Sequence, residues 1–185
     1  MAAKRMKLII NPNADMGNAW RQATDLRPIA DQHGGADWAG TVYPTHATEL
    51  ARQAAEEGYE IVVAVGGDGT VHEVVNGLMQ VPKARRPKLG VVPLGSGNDF
   101  ANALGMSDKP ELALKELLTG KVRHIDLGVI EDEHGRKEYW DNTINIGFGG
   151  SVNIYSHNLP VVRGFLMYFV AVLITIIRHY DVLEM

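Results

Sequence analysis

The sequence predicts an α/β protein: an N-terminal parallel-sheet domain with helices on both faces, followed by the start of an antiparallel β region. Three observations predict it. From Met6 to Gly120, short β-rich apolar runs alternate with amphipathic helical stretches, the pattern of strands joined by crossover helices. Two of those runs end in glycine loops, Gly66-Gly67-Asp68-Gly69 and Gly95-Ser96-Gly97-Asn98-Asp99. After Lys121 the pattern changes to alternation of apolar and polar residues, as expected of half-exposed antiparallel strands. The expected division is an α/β domain over residues 1–122 and an incomplete β region over 123–185.

Taken in order, Met6 to Ile10 reads as a first strand, stopped by Asn11-Pro12 because proline cannot continue a central ladder. Ala19 to Gln32 reads as a helix with Trp20, Ala23, Ile29 and Ala30 as its apolar positions and Gly34-Gly35 as its stop. Asp37 to Tyr43 is a second strand. Thr45 stands where a cap belongs for a helix whose Ala47, Leu50, Ala51, Ala54 and Ala55 form a small-residue stripe, ended by Gly58.

Ile61 to Val65 is a buried strand running into the first glycine loop. Thr70 and Glu73 have capping-box spacing, so the next helix is expected to start at Thr70 and to carry Val74, Val75 and Leu78 inward. Val81 to Lys88 is a basic, proline-containing connector, read as solvated or as a membrane-touching patch. Leu89 to Leu94 is a further strand, Phe100 to Leu104 a short helix, and Ser107 the expected cap of a helix with Pro110 in its first turn and Gly120 as its end. Val122 to Ile130 and Tyr139 to Phe148 make a hairpin, with Gly147 to Gly150 as a further turn. Phe165 to Ile177 is apolar except for Thr175. At about 1.5 Å per residue it is too short for a hydrocarbon core of roughly 30 Å. It reads as a buried helix or an interfacial one, and self-association would cover it.

Composition bounds the function. Apolar content of 45% and charged content of 22% are ordinary for a globular chain. A net charge of −4 offers no basic footprint for nucleic acid. With no cysteine, thiolate metal sites and disulfides are excluded. The start, with its short apolar run, does not read as a signal peptide.

The chemistry sits in the glycine loops. Strand, glycine loop and helix N-terminus in that order make a phosphate-site geometry, because free N–H groups and the helix dipole favour an anion. A carboxylate inside such a loop repels phosphate unless a cation lies between them, so Asp68 points to a metal–nucleotide complex. A plain tight turn is the alternative. Both loops fall at carboxyl ends of strands, the edge where open α/β sheets bind ligands.

The runs Gly66-Gly67-Asp68-Gly69-Thr70, His72 to Leu78 and Pro93 to Ala101 together resemble the catalytic domain of diacylglycerol kinases and their relatives, including sphingosine, ceramide and bacterial soluble lipid kinases. Asn11-Pro12, Thr45-His46-Ala47 and Ile125 to Gly128 fit the minor motifs of that family. The resemblance implies an ATP- and magnesium-dependent transfer of a phosphoryl group to a lipid hydroxyl, with the enzyme cytoplasmic or peripheral at the inner membrane face. It implies that Gly66, Gly67, Asp68, Gly69 and Thr70 wrap the nucleotide phosphates. Asn11, Pro12, Asn13, Thr45, Glu73, Gly95, Ser96 and Asn98 complete the nucleotide site on the same grounds. Asp68, Asp99 and Asp126 match the family's acids around magnesium, with Asp68 the catalytic one. Read from the residues alone, Asp99 also suits a helix cap and Asp126 a solvent-facing strand position.

Two departures accompany the resemblance. The loop Asn13 to Gly17 lacks the family's usual glycine-rich, basic character. The family's β-sandwich, which binds lipid and carries the acid proposed as general base, extends beyond 185 residues. These residues are therefore expected to hold most of a nucleotide site but not a full active site. Rival readings are a soluble kinase resembling NAD kinases, which share GGDGT, and a non-catalytic nucleotide-binding module.

Overall fold

The computed structural model describes residues 5–95, 97–144, 148–157 and 165–178. The α/β part alternates as the periodicity predicts. Strand β1 (Met6–Ile10) is followed by a 3-10 turn and α1 (Ala19–Gln32), then β2 (Asp37–Gly40) and α2 (His46–Glu56). Next come β3 (Ile61–Gly66), α3 (Asp68–Met79), β4 (Lys88–Pro93), α4 (Asp99–Ala103) and α5 (Pro110–Thr119). A hairpin follows, β5 (Gly128–Glu131) and β6 (Lys137–Trp140), and then two helices, α6 (Phe148–His157) and α7 (Phe165–Arg178).

The sheet is parallel with strand order β2-β1-β3-β4. Ile10 pairs with both Gly40 and Val65, and Val65 with Val92, so the strands end nearly level at their carboxyl edge. Side chains alternate across this sheet as the two-residue period requires. Val62 and Ala64 pack with Ala47, Ala51, Val71 and Val74 of α2 and α3 on one face. Val63 and Val65 pack with Ala23, Leu26 and Leu114 of α1 and α5 on the other. The small-residue stripe of α2 is buried as expected, and its alanines let α3 come close. A Cβ on Gly77 would stand 2.2 Å from the Thr48 carbonyl oxygen and 2.8 Å from the Ala51 Cβ.

Because the chain steps outward from β1 to β2 and then returns to β3 on the other side, the topology reverses between β1 and β3. In an open α/β sheet that reversal opens a crevice at the carboxyl edge. Asn11 and Gly66 flank it: the Asn11 N–H donates to the Val65 carbonyl at 3.1 Å, and the Leu94 N–H to the Gly66 carbonyl at 2.8 Å.

Several elements differ from the sequence expectation. Helix α3 starts at Asp68 with Gly67 as its cap, not at Thr70. Trp20, assigned to the buried face of α1, is 54% exposed, and Leu26 takes its place in the core. Strand β2 stops at Gly40, and Ser107 does not cap α5 with its side chain, since Lys109 occupies the cap position. The expected strand Val122 to Ile130 is pairing-competent only from Gly128. The second strand ends at Trp140 rather than Phe148. The expected turn at Gly147 to Gly150 falls partly outside the described residues, and from Phe148 onward it is the first turn of α6.

The chain separates into two compact units, residues 1–142 and residues 143–185. The hairpin belongs to the first unit. In the second, α6 and α7 pack on each other and bury Val152, Ala171 and Thr175, whose hydroxyl donates to the Ala171 carbonyl at 2.8 Å. Among the described side chains of α7, Leu173 and Ile176 are exposed. No helix among the described residues is long and apolar enough to cross a membrane.

Candidate functional site

The two glycine loops meet at the crevice. A Cβ on Gly95 would lie 2.5 Å from the Gly67 Cα and 2.8 Å from the Asn98 Oδ1, so backbone touches backbone there and only glycine fits. Gly66 is required for a different reason: a Cβ on it would strike the Thr70 hydroxyl. Thr70 is buried in the first turn of α3, packed beneath the loop. Of the glycines in the two loops, Gly69 alone has open space where a Cβ would go, and it is exposed. The N–H groups of Asp68 and Gly69 precede the first bonds of the helix, which run from Thr70 and Val71 to the Gly67 carbonyl. A helix N-terminus with free donors among the described residues and an open glycine is a cradle for an anion.

Around this cradle the second loop is folded by its own asparagine. Asn98 sits at φ 57°, and its side chain accepts from the Gly95 N–H at 2.8 Å and donates to the Gly95 carbonyl at 2.9 Å. Asparagine tolerates the left-handed region better than most residues, which accounts for its place here. Asn102 secures the other side, donating to the Gly97 carbonyl at 3.2 Å. Ser96 lies outside the described residues.

Asp68 joins the two loops. Its Oδ1 accepts from the Phe100 N–H at 3.1 Å, capping α4. Its Oδ2 lies 3.0 Å, and Asp99 Oδ1 3.7 Å, from the point where a Cβ on Gly97 would stand. Two carboxylate oxygens therefore face the same small gap, which a side chain at residue 97 would fill. Asp126 is exposed and lies just before β5, outside any strand. Among the described residues no group of three potential ligands has metal spacing. The pair at Gly97 does suit magnesium, which commonly takes one or two carboxylates and completes its octahedron with water and phosphate oxygens.

The β1 side of the crevice is polar and compact. Asn11 Oδ1 accepts from the Asn13 N–H at 3.0 Å, and the Asn11 carbonyl from Ala14 N–H at 3.1 Å, a turn that sets the loop after Pro12. Thr45 stands at the α2 cap position with φ 70°, yet its hydroxyl makes no cap bond. The cap comes from across the site. Glu73 Oε1 accepts from the Thr45 N–H at 3.0 Å and Oε2 from the Ala47 N–H at 3.1 Å. The spacing Thr70–Glu73 had suggested that Glu73 caps its own helix; it caps its neighbour instead.

Two residues in this region carried no assignment from the sequence. Asn76 clamps the hairpin to α3, accepting from the Tyr139 N–H at 2.9 Å and donating to the Tyr139 carbonyl at 2.8 Å. One turn earlier His72 Nε2 meets Glu138 Oε1 at 2.9 Å. The clamp brings Asp141 within the electrostatic reach of His72 and Asp68. Its Oδ2 is buried with no hydrogen-bond partner among the described residues. Burial pushes the Asp141 carboxyl above the ordinary 3.8, a backbone hydrogen bond and then His72 pull it back, and Asp68 raises it further. The signal was an acid in step with Tyr139 on an alternating strand, where an inward apolar residue is expected.

Fold and site together define an open parallel α/β domain with paired glycine loops and acids at its topological switch point. The sequence profile described as the diacylglycerol kinase catalytic domain matches residues 5–130, and the chain belongs to that family. A protein named "Probable lipid kinase YegS-like" from Chromohalobacter salexigens is 46% identical over 103 residues, 56% of this chain and 32% of its own length. A diacylglycerol kinase from Bacillus subtilis is 33% identical over 159 residues, 85% of this chain and 49% of its own. Among solved structures, a diacylglycerol kinase from Bacillus anthracis strain Sterne superposes with a TM-score of 0.61 at 30% identity, covering 67% of this chain and 45% of that one. The chain thus spans half or less of the length of these relatives.

Proposed function

We propose that this chain is the nucleotide-binding part of an ATP-dependent lipid kinase, which transfers the γ-phosphoryl group to a hydroxyl of diacylglycerol or a related lipid at a membrane surface. The observation that carries the reading is the bridge made by Asp68. One carboxylate closes the two glycine loops against each other and turns its second oxygen, with that of Asp99, toward a gap beside the α3 N-terminus.

On this reading the Asp68 and Gly69 N–H groups and the α3 dipole hold the phosphates, and Gly69 lets them approach. Asn11 to Asn13 and Thr45 border the nucleotide from the β1 side. Asp68 and Asp99 would hold magnesium, which supplies charge neutralisation at the phosphoryl group when bound. The loops contribute fixed geometry, so the donors need no rearrangement as charge builds on the transferred group. In the reaction the lipid hydroxyl oxygen bonds to phosphorus, the bond to ADP breaks, and the hydroxyl proton leaves to a base.

Calorimetric titration of Mg·ATP into the 185-residue chain tests the reading. Saturable one-site binding that is lost without magnesium is expected. No binding would sink the proposal. With a chain of the full length of these relatives, labelled ATP offered with diacylglycerol, sphingosine and NAD in parallel separates a lipid kinase from a soluble one.

A further inference from the structure

We propose that Glu73 is a positioning residue of the nucleotide site: it sets nucleotide affinity through the Thr45 turn rather than by touching the nucleotide. The inference rests on the nucleotide-binding reading above and deepens it. Both oxygens of the Glu73 carboxylate already accept backbone N–H groups, from Thr45 at 3.0 Å and Ala47 at 3.1 Å. They stand either side of the His46 N–H, which goes to the Tyr43 carbonyl at 3.2 Å, at the start of α2; its cap residue makes no side-chain bond, so a negative group there also meets the positive end of the helix dipole.

The turn needs such a hold. Thr45 has φ 70°, one of two non-glycine residues with positive φ among those described. For a β-branched residue that backbone conformation is strained and persists only where the surroundings enforce it. On the β2 side the Thr41 N–H is anchored to the Ile10 carbonyl at 2.8 Å, and the Val42 N–H to His46 Nδ1 at 3.2 Å. On the α2 side the enforcement comes from α3. Thr48 Oγ1 donates to the Glu73 carbonyl at 2.9 Å, and one turn on, Gly77 admits the Thr48 backbone against the helix. Glu73 thus locks the turn bearing Thr45 to the helix whose N-terminus is the phosphate cradle. A nucleotide spanning both meets a preset distance. Without the carboxylate, Thr45 is free to relax toward its ordinary conformation and the two halves of the site lose register.

The test is Mg·ATP titration of the wild-type chain, Glu73→Gln, Glu73→Ala, Thr45→Gly and the double variant Glu73→Ala/Thr45→Gly, each with a thermal melt. Glutamine offers one acceptor and turns an amide donor toward the second N–H, so its loss should be intermediate. Releasing a strained residue of this kind should weaken binding about tenfold or more in Glu73→Ala. Glycine adopts positive φ freely, so in a Thr45→Gly background the same Glu73→Ala change should cost only about threefold. Unaltered affinity in both Glu73 variants overturns the proposal. So does an equal loss in the two backgrounds, the result expected of direct nucleotide contact. If Glu73→Ala does not fold, the comparison is made with Glu73→Gln in the two backgrounds and read by the same rule. Wild-type chain that fails to bind Mg·ATP removes the nucleotide reading itself, and the inference with it.

Discussion

At the scale of single residues, the site is governed by which atoms are already engaged. Asp68 has one oxygen committed to the Phe100 N–H and one turned to the gap at Gly97. Asp68→Asn keeps an acceptor for Phe100 but removes the charge, so the chain should stay folded and lose magnesium-dependent nucleotide binding by about tenfold or more. Calorimetry with and without magnesium checks this; unchanged affinity would be the contrary result. Gly95 answers to packing rather than charge. A methyl group there meets the Gly67 backbone at 2.5 Å, and backbone cannot swing aside. Gly95→Ala should therefore cost about 1–3 kcal/mol in urea unfolding, the usual range for overpacking. Asp141 gives a pH dependence with a definite sign. Its carboxyl is raised in the folded state, so the native chain holds that proton more tightly than the unfolded chain. The resulting penalty is absent below the ordinary 3.8, grows as pH rises to the raised folded value, and is complete above it. Asp141→Asn should raise the melting temperature at neutral pH, with the gain fading as pH falls through that window. A melting temperature at pH 7 equal to or below wild type would contradict the assignment.

At the scale of elements, the sequence was most readable where periodicity decides. The β1 and α1 bounds agree with the reading, and β3 and α5 end where Gly66 and Gly120 stop them. The glycine loops were legible too, because a strand followed by glycines and an acid has few structural uses. What local pattern could not give was the partner of each capping group. Thr70 and Glu73 look like one helix's capping box, yet Thr70 is buried under Gly66 and Glu73 reaches 26 residues back to Ala47. Asn98, read as part of the nucleotide site, also has a partner in its own loop that the pattern did not show, both the N–H and the carbonyl of Gly95. Asp141 and Asn76 were invisible for the same reason: their roles depend on how the hairpin docks on α3. Asn76 makes a direct prediction here. Asn76→Ala leaves the Tyr139 N–H and carbonyl without partners, a loss of about 1–3 kcal/mol. Hydrogen exchange should rise across Lys137–Trp140 while the β1–β3 ladder keeps its protection; uniform loss across both would show that the clamp serves the whole fold instead.

At the scale of the molecule, the two sheet faces draw their buried residues from within the first compact unit. One cluster runs from Ile9 to Ala101, with Leu127 and Tyr139 packed at its margin; the other runs from Met6 to Leu114. Neither cluster includes the described buried residues of α6 and α7, Val152, Ser156, Ala171 and Thr175. A domain of about 140 residues is large enough to hold its own core, since burial rises with chain length in that range. Residues 1–142 should then fold alone. Urea unfolding followed by circular dichroism is expected to give one cooperative transition, with a midpoint close to that of the 185-residue chain. The Mg·ATP affinity of the shorter chain should match as well, because the glycine loops, Asp68, Asp99, Glu73 and Asn76 all precede the break at 142/143. A broad, non-cooperative transition would show that α6 and α7 complete the core. Cooperative folding with lost nucleotide binding would mean instead that residues 143–185 contribute directly to the site.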